Sequence, residues 1–177
     1  MTIETKRLVL RPWRESDAEI LYEYAKDPCV GPMAGWPVHT SVENSLEIIN
    51  TGLSEEGTYA ITLKGDDRAI GSIGIFPVRN LPQYEGELEI GYWIAVPFWG
   101  QGLVPEAVRE FLRIAFEEKG EKRVWCGHYE GNGKSRRVIE KCGFQFVLRQ
   151  ENYVPLMEEN RIEYLYSIGV AEFNSRR

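Results

Sequence analysis

At 177 residues the chain is long enough to bury a sizeable core in one domain without covalent staples, and its 43% hydrophobic content is ordinary for a globular fold. A net charge of −6 without any basic run or basic-aromatic stripe excludes a dedicated nucleic-acid binder, and no apolar stretch approaches membrane-spanning length. Three cysteines, Cys29, Cys126 and Cys142, have neither a disulfide framework's even count nor paired metal-ligand spacing, so no metal is expected and a reducing compartment fits. The first dozen residues alternate charged and apolar side chains with no run suited to a signal peptide, so the expected location is the cytoplasm. The acidic surface suits a cationic acceptor, and equally suits plain solubility.

Residues 5–13 alternate as a strand, with Leu8 and Leu10 on one face, Val9 and Arg11 on the other, and Pro12 at its end. Ser16 and Glu19 have capping-box spacing for a helix through Ile20, Leu21 and Tyr24 that stops before Pro28. Residues 29–39 form a Gly- and Pro-rich loop carrying Met33, Trp36 and His39, after which Thr40 and Glu43 repeat the capping-box spacing for a helix reaching Gly52. Residues 58–63 and 69–76 read as a hairpin turning at Gly65-Asp66-Asp67, and residues 79–86 lead into a β-rich apolar strand from Glu87 to Val96. Val104, Ala107, Val108, Phe111, Leu112, Ala115 and Phe116 then recur at helical spacing, predicting a helix over 103–118 closed by Lys119-Gly120. Residues 123–129 return as a strand, which makes a right-handed parallel β–α–β crossover with the central strand. Asn132 caps a further helix that ends at Gly143. Residues 146–149 and 162–170 are two last strands around a polar loop with Glu151, Tyr153 and Glu158, and the AEFNSRR tail is expected to fray. No repeat or linker interrupts the chain, so residues 1–177 are expected to form one mixed α/β domain.

Between the central strand and the long helix stands Trp99-Gly100-Gln101-Gly102. Strand, glycine turn and helix in that order make an anion site, because the first helical turn has unpartnered N–H groups and glycines let a phosphate approach the backbone. An ordinary tight strand-to-helix connection has the same residues, so the turn alone leaves both readings open.

Three stretches carry a family resemblance. Glu89-Ile90-Gly91-Tyr92-Trp93 followed by Trp99-Gly100-Gln101-Gly102 and Glu106-Ala107 resembles the acyl-CoA-binding segment of the GNAT N-acetyltransferases, in particular the Rim-type enzymes that acetylate N-terminal amines of ribosomal proteins. The opening TKRLVLRPWRESDA and the segment NGKSRRVIEKCGF, residues 132–144, resemble the same enzymes. Two motifs about thirty residues apart in the right order are far more specific than either alone. The wider family writes Gln or Arg three residues before the first glycine; this chain has Pro97, which removes a side-chain contact but leaves the backbone cradle.

The resemblance implies a GNAT-like fold, a central and mostly antiparallel twisted sheet of about seven strands with one parallel crossover and about four helices. It implies acetyl-CoA as co-substrate, its pyrophosphate on the amides of Gly100, Gln101, Gly102, Leu103 and Val104 and its pantetheine along Ile94, Ala95 and Val96. Asn132 would hydrogen-bond the pantetheine arm. The thioester would lie near Tyr92 to Ile94, where a backbone N–H stabilises the oxyanion; Trp36 and Met33 would contact the acceptor, with folding of the loop aromatic back onto the core as the other reading. Many family members use a Tyr to protonate the leaving thiolate, but Ile139 stands at that position here; Rim-type members carry a Ser, and Ser135 matches. Two carboxylates compete as general base: Glu89, on the central strand together with Glu87, Gly91 and Trp93 by strand parity, and Glu151, beyond the Gly-Phe dipeptide. His128 and the cysteines stand in no nucleophile–base pattern. The acceptor is an amine, a protein N-terminus or a small molecule such as an amino acid, polyamine or aminoglycoside, and a silent acyl-CoA-binding module is the reading from another class. The chain would act as a monomer or homodimer.

Overall fold

Leu8 and Leu10 are fully buried, as their alternation requires, but the strand expected over 5–13 is a small hairpin. In the computed structural model, which describes residues 2–79 and 81–176, β1 (Ile3–Glu4) folds back on β2 (Leu8–Arg11), with Ile3 opposite Leu10. The Thr5 hydroxyl closes the turn by accepting the Leu8 N–H at 3.0 Å. Arg11, expected on the outer face, is only 3% exposed, because Asp17 and Asp67 each meet its guanidinium at 2.8 Å.

That ion pair also moves a helix cap. The Asp17 carboxylate, held by Arg11, accepts the Arg14 N–H at 2.9 Å just ahead of α1 (Ala18–Ala25), so the spacing of Ser16 and Glu19 is not the one used. A carboxylate is the stronger acceptor. The expected loop at 29–39 contains a short helix, α2 (Gly31–Ala34), ended by Gly35 in the left-handed region. Ser41 rather than Thr40 caps α3 (Val42–Ile48): its hydroxyl accepts the Asn44 N–H at 3.0 Å, and the Asn44 side chain accepts from Thr40 at 3.1 Å. One wider turn, Ile49–Leu53, completes the helix to the expected point.

The chain groups into two compact units, Met1–Gly74 with Tyr92–Ala107, and Ile75–Gly91 with Val108–Arg177. In the first, β2 pairs with β3 (Thr58–Leu63), which pairs with β4 (Asp66–Pro77) across the tight turn at Lys64-Gly65. Asp66 and Asp67, expected in that turn, lie in β4. Trp13, Leu21, Ala25, Ile49, Ala60 and Ala69 form its core, with Trp36 and Trp93 packed against them. Each large side chain buried there contributes about 1.5–3 kcal/mol.

In the second unit β5 (Leu88–Ile94) begins beside β6 (Arg123–Tyr129) in parallel, Leu88 opposite Val124 and Glu89 opposite Trp125, as the crossover predicted. The intervening α4 (Leu103–Arg113) continues as a wider turn Ile114–Glu118, so the helix ends where its apolar spacing does. α5 (Gly133–Lys141) follows β6, with Gly143 at φ +94 beyond its end. β7 (Gln145–Val154) and β8 (Glu159–Gly169) are longer than expected, and Glu151 and Tyr153, assigned to a loop, stand on β7. The polar residues that masked this strand are satisfied by its neighbour, since Gln150 and Asn152 both donate to Glu163. The tail is not frayed over its described part: α6 (Val170–Asn174) seats Phe173 against Phe116 at 5.1 Å. Asn80, in the connection expected before the central strand, and Arg177, in the tail, lie outside the described residues.

The strand order is β1-β2-β3-β4-β5-β6-β8-β7, mostly antiparallel with one parallel pair. Among the described residues, eight strands and six α-helices exceed the expected seven and four through the hairpin at β1 and the two short helices α2 and α6. Among the described residues no helix is long and apolar enough to cross a membrane.

Candidate active site

The glycine turn is held open by the chain around it. After β5, Ala95 donates to the Ile70 carbonyl at 2.9 Å and the Trp99 indole donates to the Ile94 carbonyl at 2.9 Å, which fixes the exit from the strand. Gly100 and Gly102 both sit at φ +73, a region costly for any residue with a Cβ. A Cβ at Gly100 would meet nothing within 4 Å, so open space lies over the turn. Leu103 and Val104 are buried, offering only backbone amides as the first turn of α4 begins. The Pro97 carbonyl accepts the Gln101 side chain at 3.0 Å, so the proline that departs from the family pattern buttresses the turn through its backbone. This turn can receive a pyrophosphate: its two glycines let an anion approach the backbone where the first turn of α4 begins, and open space lies over Gly100.

Arg7 clamps the same turn. Its guanidinium donates to the Gln101 carbonyl at 2.9 Å and to Glu106 at 2.7 Å, while Glu106 also accepts from the Thr5 hydroxyl at 2.6 Å. Burial pushes the Glu106 carboxyl up, but the Thr5 and Arg7 donors outweigh it and hold the group below the usual carboxylate range. Sequence reading matched Glu106 to a motif without finding its partner, and Arg7 was missed.

For the expected pantetheine strand, Ile94, Ala95 and Val96 follow one another at the end of β5, but the Ala95 N–H and the Ile94 carbonyl already have protein partners. Tyr92 is half-buried on β5. Trp36 is half-buried too and packs on the core of its unit, 5.7 Å from Trp93 and 5.2 Å from His39. Gly31 makes this possible, since a Cβ there would lie 2.3 Å from the Trp36 ring.

In the second unit the Asn132 side chain accepts the Ser135 N–H at 3.1 Å, so Asn132 is the cap of α5 and Ser135 stands in its first turn. Glu89 lies on β5 opposite Trp125. Burial, and then the Glu163 carboxylate, push its carboxyl up to about 7 against the opposing pull of Arg79. Glu87, two residues earlier, behaves oppositely: Arg123 and the Trp125 indole hold it low. The two carboxyls are tuned apart by their neighbours.

Glu151 and Glu89 are not brought together. Gln150 and Asn152 turn towards Glu163, which leaves Glu151 between them on the opposite face of β7, exposed. Glu163 itself was missed. Its flanking residues, Arg-Ile-Glu-Tyr, read as an ordinary polar-apolar strand, and only the register of β7 and β8 shows what it faces.

His128 is buried, with Nδ1 2.9 Å from the Tyr129 carbonyl and its ring stacked on Tyr164 at 5.2 Å, a packing role. Cys126 and Cys142 are buried, and burial pushes the Cys142 thiol up to about 11, far from a nucleophile's range.

Comparison with known proteins agrees with this fold. The family model for the acetyltransferase (GNAT) domain matches residues 7–145, and the chain belongs to that family of acetyl-CoA-dependent N-acetyltransferases. It is 30% identical over 149 residues to the uncharacterized N-acetyltransferase p20 of Bacillus licheniformis, covering 81% of this chain and 82% of that protein. Over 93 residues it is 44% identical to YdaF of Bacillus subtilis strain 168, provisionally named a ribosomal N-acetyltransferase, covering 51% of each. The crystal structure of a GNAT-family acetyltransferase from Bacillus anthracis matches with a TM-score of 0.82 at 25% identity, over 96% of this chain and 98% of that one.

Proposed function

We propose that this enzyme acetylates the N-terminal α-amine of a protein, of the ribosomal-protein kind, by direct attack in a ternary complex within one acetyltransferase domain in the cytoplasm. The observation that carries the reading is the Glu89 carboxyl, raised to about 7 by burial and by Glu163. An α-amine has a pKa near 8 and a lysine amine one near 10.4, so a base of this strength is matched to the α-amine. The provisional name of YdaF supports the same acceptor class.

In this reading the amides of Gly100 to Val104 hold the pyrophosphate of acetyl-CoA, and Arg7 keeps their turn in shape. Acetyl-CoA supplies the activated thioester carbonyl. Glu89 takes a proton from the acceptor ammonium, directly or through a water, so that the free amine forms the new C–N bond; the tetrahedral intermediate then collapses with cleavage of the C–S bond, and the second proton lost by the nitrogen passes to the departing thiolate to give CoA-SH. A backbone N–H near Tyr92 stabilises the oxyanion, an effect typically worth about 3 kcal/mol. The Ser135 hydroxyl donates a hydrogen bond to the departing sulfur, one that strengthens as charge develops there. Asn132 is proposed to meet the pantetheine arm while capping α5.

The test is CoA release from acetyl-CoA against peptides of varied N-terminus, polyamines, amino acids and an aminoglycoside. Peptide turnover that falls at least about a hundredfold in Glu89→Gln is expected. Turnover on small amines alone would replace the protein acceptor, and tight acetyl-CoA binding without turnover on any acceptor would favour a silent module.

A further inference from the structure

Glu163 stands on β8 opposite Tyr129 of β6 and Gln150 of β7. The Asn152 amide donates to its Oε2 at 2.6 Å and the Gln150 amide at 3.3 Å, so the carboxylate is oriented from the β7 side. On the β6 side it reaches over Gly127: a Cβ at that glycine would lie 3.1 Å from Glu163 Oε1 and 3.0 Å from Leu165. Gly127 is two residues beyond Trp125, which is the partner of Glu89 across the parallel pair. The bare Gly127 therefore leaves room for the Glu163 carboxylate on the face of β6 that bears Trp125, the cross-strand partner of Glu89.

We infer that Glu163 is a positioning residue for deprotonation of the acceptor, forming with Glu89 a carboxylate pair that shares one proton over Gly127. This rests on the reading of Glu89 as the base. Two neighbouring carboxylates withdrawn from water do not both ionise readily, and their titrations belong to the pair. The surrounding charges are few. Arg79, just after β4, favours the charged form of Glu89, and His128 favours that of Glu163. Tyr129 is pushed up by burial, then by Glu163 and Glu89, with Arg161 opposing. Glu87 on the same face is committed to Arg123. Burial raises the Glu163 carboxyl despite its two amide donors, as a proton-sharing partner requires.

The experiment has two readouts on wild type, Glu163→Gln and Asn152→Ala: the pH profile of kcat/KM, and a carbon-13 titration of glutamate-labelled protein without substrate, with Glu89→Gln identifying the Glu89 signal. Removing the Glu163 charge is expected to move the acid limb and the Glu89 titration together to lower pH by about one unit, the coupling at which two groups titrate as a pair. Asn152→Ala, which removes the donor that keeps Glu163 charged, moves both in the same direction and serves if Glu163→Gln does not fold. A Glu89 titration unchanged in these variants overturns the pair, and a titration that moves while the limb stays put overturns its role in the reaction. Full activity in Glu89→Gln would instead remove the base reading, with the carbon-13 titration still deciding whether the pair exists.

Discussion

Arg7 and Glu106 lie 99 residues apart in sequence and 2.7 Å apart in space, and between them they tie the first hairpin to the start of the helix that follows the glycine turn. The same guanidinium reaches the Gln101 carbonyl inside the turn. Arg7→Ala should therefore loosen the amide cradle without touching the reacting groups. The expected outcome is a KM for acetyl-CoA raised about tenfold, equivalent to about 1.4 kcal/mol, with kcat within twofold, measured at saturating acceptor.

Gly102→Ala tests the cradle from the backbone side. The new methyl would meet only the Arg7 guanidinium, at 3.7 Å, so the cost is conformational. A left-handed alanine costs about 1–2 kcal/mol. Either the protein keeps the turn and loses about 2–4 °C in Tm per kcal/mol, or the turn relaxes and acetyl-CoA affinity falls. Thermal unfolding with and without acetyl-CoA separates the two.

Glu89 should make the fold less stable as pH rises. Its folded carboxyl keeps the proton up to about 7, whereas the unfolded group releases it near 4.5, so the folded state is penalised progressively between those values. The penalty reaches at most about 3 kcal/mol. Urea unfolding at pH 5 and pH 8 should show that Glu89→Gln lacks this dependence and is more stable than wild type at pH 8, while its turnover is lost.

Asn132→Ala removes the cap of α5 and should lower stability by about 1 kcal/mol and Tm by about 2–4 °C. Asn132→Ser restores the cap, because a hydroxyl also accepts the Ser135 N–H. If Asn132 also contacts the pantetheine arm, the serine variant regains its Tm but keeps a raised KM for acetyl-CoA. Recovery of both confines Asn132 to capping.

Local rules read well where a residue's role is decided by its near neighbours. Asn132 caps, Gly143 and Gly120 take the left-handed positions, and the apolar spacing of α4 ends where the helix does. They read poorly where a partner distant in sequence intervenes. Asp17 displaced the expected cap because Arg11 fixed it, and β7 was cut short because Gln150 and Asn152 look like loop residues until Glu163 is seen to accept from both.

From sequence alone came the strand, glycine turn and helix, the parallel crossover and the family, because backbone conformation and amphipathic spacing are properties of short segments. Only the tertiary structure showed the different surroundings of Glu89, withdrawn from water near Glu163, and Glu151, exposed on β7. Both depend on strand register and on what lies across the neighbouring strand, and the tuning of a carboxyl comes from burial and nearby charge.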